Sequence, residues 1–283
     1  MNWLTAHKLP VGYWGEKLIR LLINDFYWFF DALSLFIQSG LEVITRVVLW
    51  LPPPIVVALV AGLAFLLHRN WKLALWVVIA LVFIINQGYW PQTIETVVLV
   101  LGATVVSMVI GVPVGIAAAH RPWLYRLIRP VLDLMQTLPT FVYLIPAVVL
   151  FGLGVTPGLV ATVIFTLPTS IRLTQHGIAS VPAHLVEAGK AFGASKRQLL
   201  WKVELPHARP TIMVGLTQCI MLSLSMVVIA ALVGANGLGQ PVVRALNTVN
   251  VSMGLEAGLV IVVVAIVLDR LCRSERNISG ADS

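Results

Sequence analysis

The chain has 283 residues, of which 59% are hydrophobic and only 11% charged, with 12 Asp plus Glu against 19 Lys plus Arg and a formal net charge of +7. Soluble domains hold about 45–50% apolar and about 25% charged residues, so this chain has too little polar surface to coat a water-facing globule and reads as an all-α polytopic membrane protein. The same figures exclude a disordered chain and a disulfide scaffold; Cys219 and Cys272 are expected as unpaired thiols, and the basic excess is expected in cytoplasmic loops rather than on nucleic acid.

Residues 1–25 contain Lys8, Glu16, Lys17, Arg20 and Asp25 without a continuous apolar core, so they do not read as a cleaved secretory signal. Across 26–51 the chain is apolar except for Asp31, Ser34, Gln38, Glu42, Thr45 and Arg46, whose spacings of three and four share one helical face. An amphipathic helix lying in the membrane interface is expected, with an eighth span as the alternative. Glu42 and Arg46 are also a weak acid and base pair at i, i+4.

A span needs about 17–25 mostly apolar residues. Seven stretches qualify, within a range of six to eight: 54–67, which borrows flanking residues, then 73–85, 93–119, 131–153, 159–178, 211–233 and 255–271. This divides the chain into an N-terminal segment (1–51), two accessory spans (52–89), a core (90–271) and a tail (272–283). The turns 69–72, 121–129, 172–209 and 270–276 hold fourteen of the nineteen basic residues, so they are expected on the cytoplasmic side, with the C-terminus. With seven spans the N-terminal segment lies outside; an eighth reverses that.

Polar residues inside the spans are candidates for a pathway or gate. Asp133 is expected to face protein or to pair with Arg126 or Arg129, because a lipid-exposed charge costs a few kcal/mol. Gln136, Thr137, Thr140 and Tyr143 follow at helical spacing, as do Thr217, Gln218, Ser223 and Ser225 beside Met226; each set either glues helices together or lines a translocation path. Pro113, inside Gly111-x-x-x-Gly115, and Pro139, Pro146 and Pro168 are expected to loosen three spans at mid-depth. Trp71, Trp90 and Trp123 read as interface anchors. The opposite loop, 234–254, carries four Gly and a short helical stretch, PVVRALNTV.

The longest basic loop, SVPAHLVEAGKAFGASKRQLLWKVELPHARP, is too well punctuated for a solvated turn. Pro182 suits a first helical turn, Leu185, Ala188 and Phe192 share a face, and Gly193 stands where a left-handed C-cap is wanted. Ser195 with Gln198 is a capping box opening a second helix, which Pro206 ends.

The run EAGKAFGASKRQLLWKVELP resembles the cytoplasmic loop motif of binding-protein-dependent ABC importer permeases: Glu-Ala-Ala, three residues, Gly, nine residues, Ile, one residue, Leu-Pro. Glu187, Ala188, Gly193, Leu205 and Pro206 fall on its places, with Gly189 for the second Ala and Val203 for Ile. The segments DLMQTLPTFVYLIPAVVLFGLG and GANGLGQPVVRALNTVNVSMGLEAGLVIVVVAIVLDRL are similar to permeases of the glycine betaine, proline betaine and choline branch. That resemblance implies a type I permease core in a bacterial inner membrane, two copies of the chain, two separate ATP-binding subunits and an extracytoplasmic solute-binding protein. It also implies that Glu187, Ala188, Gly189, Gly193, Ala194, Ser195, Leu205 and Pro206 couple the chain to the ATPase, with Lys190, Lys196, Arg197 and Lys202 facing that partner. The 234–254 loop either helps close an outer gate or is a re-entrant packing element.

No ATP site is expected here, because GKAFGASK lacks the Gly-x4-Gly-Lys-Ser/Thr spacing that lets backbone amides cradle phosphate; ATP and Mg belong to the partner. The six His lack metal-ligand spacing, and no nucleophile elbow or paired intramembrane carboxylates stand out, so no metal, cofactor or catalytic residue is expected. An ATP-independent secondary transporter or channel is the alternative, and a static scaffold explains the composition but not the loop. Glycine betaine or choline follows from resemblance alone, leaving other betaines, trimethylamine oxide, carnitine or an amino acid open.

Overall fold

The computed structural model describes residues 11–272, and among these every regular element is helical. The first helix, α1 (Val11–Trp50), leaves helical backbone angles at Phe26. Its amphipathicity is present with a particular facing. Leu35, Phe36, Val43, Ile44, Val47 and Trp50 are exposed, while Gln38, Glu42, Thr45 and Arg46 line a cavity of about 380 Å³ shared with Glu95 and Asn236. The polar stripe borders this open cavity on the side of the core while Gln38, Glu42 and Arg46 stay exposed, and those apolar side chains point away from it. Ser34 Oγ donates to the Phe151 carbonyl (3.4 Å), and the Ser34 carbonyl accepts from Thr156 (3.3 Å). Glu42 accepts from Gln38 at 2.8 Å, in place of the expected Arg46 partner. By length and composition Asp25–Trp50 also suffices to cross a membrane.

Two apolar helices of 16 residues follow, α2 (Pro53–His68) and α3 (Trp71–Asn86). At 1.5 Å per residue each reaches about 24 Å, short of a hydrocarbon core of about 30 Å. The turn between them is tight: Arg69 takes a left-handed conformation, and Asn70 caps α3 by accepting from the Lys72 N–H (3.0 Å). Then come α4 (Trp90–His120), the pair α5 (Pro122–Thr137) and α6 (Thr140–Phe151), and α7 (Val155–Ala179). A 36-residue helical run, Lys196–Ala231, and Val251–Cys272 complete the elements long enough to span.

The expected continuous span 131–153 is broken, with α5 and α6 bent by 97°. Pre-proline sterics push Leu138 to an extended conformation (ψ 135°), and Pro139 becomes the residue preceding α6. The Tyr143 hydroxyl meets carbonyls exposed by the break, Leu138 at 3.4 Å, Leu134 at 3.5 Å and also Met135. Pro113, Pro146 and Pro168 stay inside continuous helices. Of the four prolines, only Pro139 breaks its span.

The core is the α4–α7 seam. Ser107 Oγ and Thr166 Oγ1 lie 2.7 Å apart, and Ser170 Oγ donates to the Ser107 carbonyl (2.7 Å). A methyl on Gly111 would fall 1.5 Å from Ser170 Oγ, and one on Gly115 would fall 2.7 Å from the Ile171 carbonyl. From Ser107 to Gly115 on α4 the partners advance from Thr166 to Ile171 on α7, so the two helices run parallel, their backbones brought together by small residues. The final stretch of the 36-residue run, α10 (Leu205–Ala231), returns antiparallel: Gly177 faces Ala208, and Gly158 faces Ala230.

An apolar cluster of Val77, Ile84, Trp90, Ile220, Leu238 and Val260 joins α3, α4 and α10 to α12 (Val251–Cys272). Trp90 is buried there, so it is no interface anchor, whereas Trp71 and Trp123 are exposed. The short helical stretch expected in 234–254 is α11 (Gly239–Thr248), tied to α4 where the buried Leu238 N–H donates to Thr96 Oγ1 (2.8 Å). Cys219 and Cys272 are free thiols. Lys8, Arg273, Arg276 and the rest of the expected tail lie outside the described residues.

Candidate functional site

The loop after α7 folds as a hairpin. Its first arm, α8 (Ala183–Ala191), starts after Pro182, which is the N-cap rather than a first-turn residue. Gly193 ends it with φ +74°; the Gly193 N–H donates to Lys190 and the Ala194 N–H to Gly189 (2.9 and 3.0 Å). The second arm, α9 (Lys196–Leu199), opens on a two-way capping box: Gln198 N–H to Ser195 Oγ at 3.3 Å, and Ser195 N–H to Gln198 Oε1 at 2.8 Å. The two arms approach closely. A methyl at Gly189 would sit 2.8 Å from Leu199 Cδ1, a physical reason for Gly where the motif has Ala. Glu187, Ala188, Gly193 and Ser195 are exposed, Gly189, Ala194 and Leu205 half-buried, and Phe192, at the end of α8, is 93% exposed.

Pro206 does not end the second helix. The chain passes through a π-helical turn, Leu200–Glu204, directly into α10, with the Leu205 N–H donating to Leu200. Pro206 has no N–H to give, so the continuous run lacks one backbone bond there, and the wider π turn takes the chain past its ring. The turn rotates Glu204 inward to 7% exposure, and Glu204 Oε2 lies 2.8 Å from His120 Nε2 at the end of α4.

The candidate pathway residues separate into two groups. Asp133 pairs with Arg172 on α7, with Arg129 at 4.0 Å as a second neighbour and no contact from Arg126. Gln136 Nε2 donates to Thr169 Oγ1 (3.1 Å), so two polar links join α5 to α7 within one turn. Thr137 is exposed and bonds only its own helix, to Leu134 (3.4 Å). Tyr143 and Met226 meet in a second apolar cluster with Leu144, Ala161 and Val233. Thr217 and Ser225 donate to carbonyls of their own helix, Gln218 is exposed, and the buried Ser223 hydroxyl has no hydrogen-bond partner. The helix break also separates Gln136 and Thr137 from Thr140 and Tyr143, which the spacing had placed on one face.

Arg172 and Thr169 escaped the reading of the sequence, which counted Arg172 in a turn; it lies within α7. A lone Arg at a span boundary is itself a signal, since it needs a partner at that depth. Among the described residues, no group of three His, Cys, Asp or Glu is placed to hold a metal ion.

Comparison with known proteins gives the family. Residues 111–273 fit the family described as "Binding-protein-dependent transport system inner membrane component". The chain is 42% identical over 267 residues to the glycine betaine transport system permease protein OpuAB of Bacillus subtilis, covering 94% of each chain. It is 42% identical to the glycine betaine/proline betaine permease protein ProW of Escherichia coli, covering 95% of this chain and 76% of ProW. The fold is similar to a chain of the inward-facing MetNI methionine ABC transporter, with TM-score 0.57 and 25% identity over 63% of this chain and 92% of that one. The protein therefore belongs to the family of binding-protein-dependent transport system inner membrane components, as a multi-pass ABC importer permease on the branch that holds the glycine betaine/proline betaine permeases.

Proposed function

We propose that this chain is the membrane-spanning subunit of an ATP-driven importer for a quaternary ammonium solute, glycine betaine first and choline second. The observation that carries the reading is the α8–α9 hairpin, capped at both joints, bearing an exposed Phe192 and running without interruption into α10. A large exposed aromatic on a rigid hairpin suits insertion into a partner's groove. Two copies of the chain and two ATP-binding subunits make the unit, and a solute-binding protein delivers substrate from outside. Residues 1–51 are the N-terminal segment, with the amphipathic interfacial helix at 26–51; 52–89 are accessory spans, 90–271 the translocating core and 272–283 the cytoplasmic tail, in a bacterial inner membrane. The likeness to OpuAB, a glycine betaine permease, and to ProW, a glycine betaine/proline betaine permease, supports the solute class.

In this mechanism ATP binding closes the ATPase dimer and moves both hairpins. Because α9, the π turn and α10 are one helical run, the displacement passes directly into the span that packs on α7. The Asp133–Arg172 and Gln136–Thr169 links, at the hinge between α5 and α6, then break and re-form as the pathway alternates. The hydrolytic chemistry belongs to the partner, and this chain supplies positioning. Coupling between sites is reciprocal for binding, so a docked binding protein alters nucleotide affinity and nucleotide alters docking.

The test is a gentle-detergent purification of the chain from native membranes. A stoichiometric ATPase, lost when residues 184–203 are scrambled, is the expected result. A homo-oligomer without a nucleotide-binding partner, found again after mild crosslinking, overturns the reading in favour of ion-coupled transport.

A further inference from the structure

We propose that His120 and Glu204 form a latch that ties the inner end of α4 to the coupling segment, and that this latch positions α4 for the transport cycle. The proposal rests on the hairpin being the ATPase-coupling element. Glu204 is the buried residue in a turn whose neighbours Trp201 and Lys202 are exposed, and its carboxylate meets His120 across 84 positions of sequence. A buried carboxylate persists only with a hydrogen-bonded partner. His120 Nδ1 lies 3.0 Å from the Ile116 carbonyl and Nε2 lies 2.8 Å from Glu204 Oε2, so both ring nitrogens are engaged and the ring is held in one orientation.

Its place in the fold gives it a task. The segment bearing Glu204 is the π turn, where the hairpin becomes α10, and π turns within α-helices recur at functional positions. On one side α10 meets α7 through small residues: a methyl on Gly177 would lie 3.1 Å from Thr211 Cβ and 3.3 Å from Ala208 Cβ. That contact is close-packed. On the other side the His120–Glu204 bond holds the last residue of α4, and α5 starts two residues later with the Asp133 and Gln136 links at its far end. Displacement of the hairpin thus reaches α4 and the α5–α6 hinge through this polar contact at the end of α4, in addition to the apolar cluster that α4 shares with α10 further along. His120 and Glu204 are positioning residues.

The experiment uses the assembled complex in liposomes with its binding protein, reading radiolabelled glycine betaine taken up per ATP hydrolysed. Glu204→Leu replaces the buried acid with an apolar group of similar size, and the His120 ring it leaves behind is 46% exposed and can turn to water instead of being stranded. We expect it to keep assembly and thermal stability while uptake per ATP falls about tenfold, the mid-range of measured pairwise couplings. Glu204→Gln, whose amide can still hydrogen-bond Nε2, stays within about twofold of the unmodified protein. The latch is overturned if Glu204→Leu keeps the original ratio, or if Glu204→Gln fails as Glu204→Leu does. Absence of a co-purifying ATPase or of uptake with the unmodified chain would instead sink the proposed function.

Discussion

Glycine serves opposite purposes in the α4–α7 seam and in the hairpin. At Gly111 and Gly115 the backbone is ordinary helix and the constraint is space, since a methyl would strike Ser170 Oγ or the Ile171 carbonyl. At Gly193 there is open space on every side and the constraint is φ +74°, a region that L side chains avoid. The seam is buried and sets the distance between spans; the hairpin is exposed and sets an angle. Stability therefore concentrates in the first and, under the proposed function, partner recognition in the second, so the same substitution acts through different terms.

The sharpest way to break this contrast is Gly111→Ala. Overpacking costs about 3 kcal/mol where the neighbour cannot retreat, and Ser170 is held by its bond to the Ser107 carbonyl. A large fall in Tm of the detergent-purified protein is expected, partly restored by Ser170→Gly in the same chain. An unchanged Tm would show that the seam is looser than the packing implies.

Next comes Gly193→Val. A left-handed conformation costs a β-branched residue about 1–2 kcal/mol, and with nothing within 4 Å the strain stays in the hairpin. Global Tm should hold while ATPase co-purification and uptake fall. If docking and uptake survive, the coupling role of the hairpin is wrong.

The smallest effect is Ser195→Ala, which removes a capping box and costs about 1 kcal/mol of local helix. Faster amide exchange across 183–199, with protection of the α4–α7 seam unchanged, is the expected pattern. Equal acceleration in both regions would join what the comparison separates.

How legible these regions were follows the same division. The hairpin's caps are written in neighbouring residues, Ser195 with Gln198 and Gly193 after Ala191, so local sequence sufficed. Pro206 misled because the usual helix-ending rule takes no account of a π turn. Asp133 stood out as a charge at membrane depth, but its principal partner is on another helix, 39 positions away. The helix at 26–51 showed its polar stripe in the spacing; that the stripe faces Glu95 and Asn236 depends on how α1 is rotated against the core.

By itself the sequence determined the class of molecule, the stretches that suit a bilayer and the punctuated loop, because hydropathy, helix period and capping are properties of adjacent residues. Tertiary structure alone decided the Asp133–Arg172 and His120–Glu204 pairs, the burial of Trp90 and the α4–α7 register. Each depends on which helices meet and at what rotation. That is set by side-chain fit between segments far apart in the chain, which a periodic pattern within one segment does not encode.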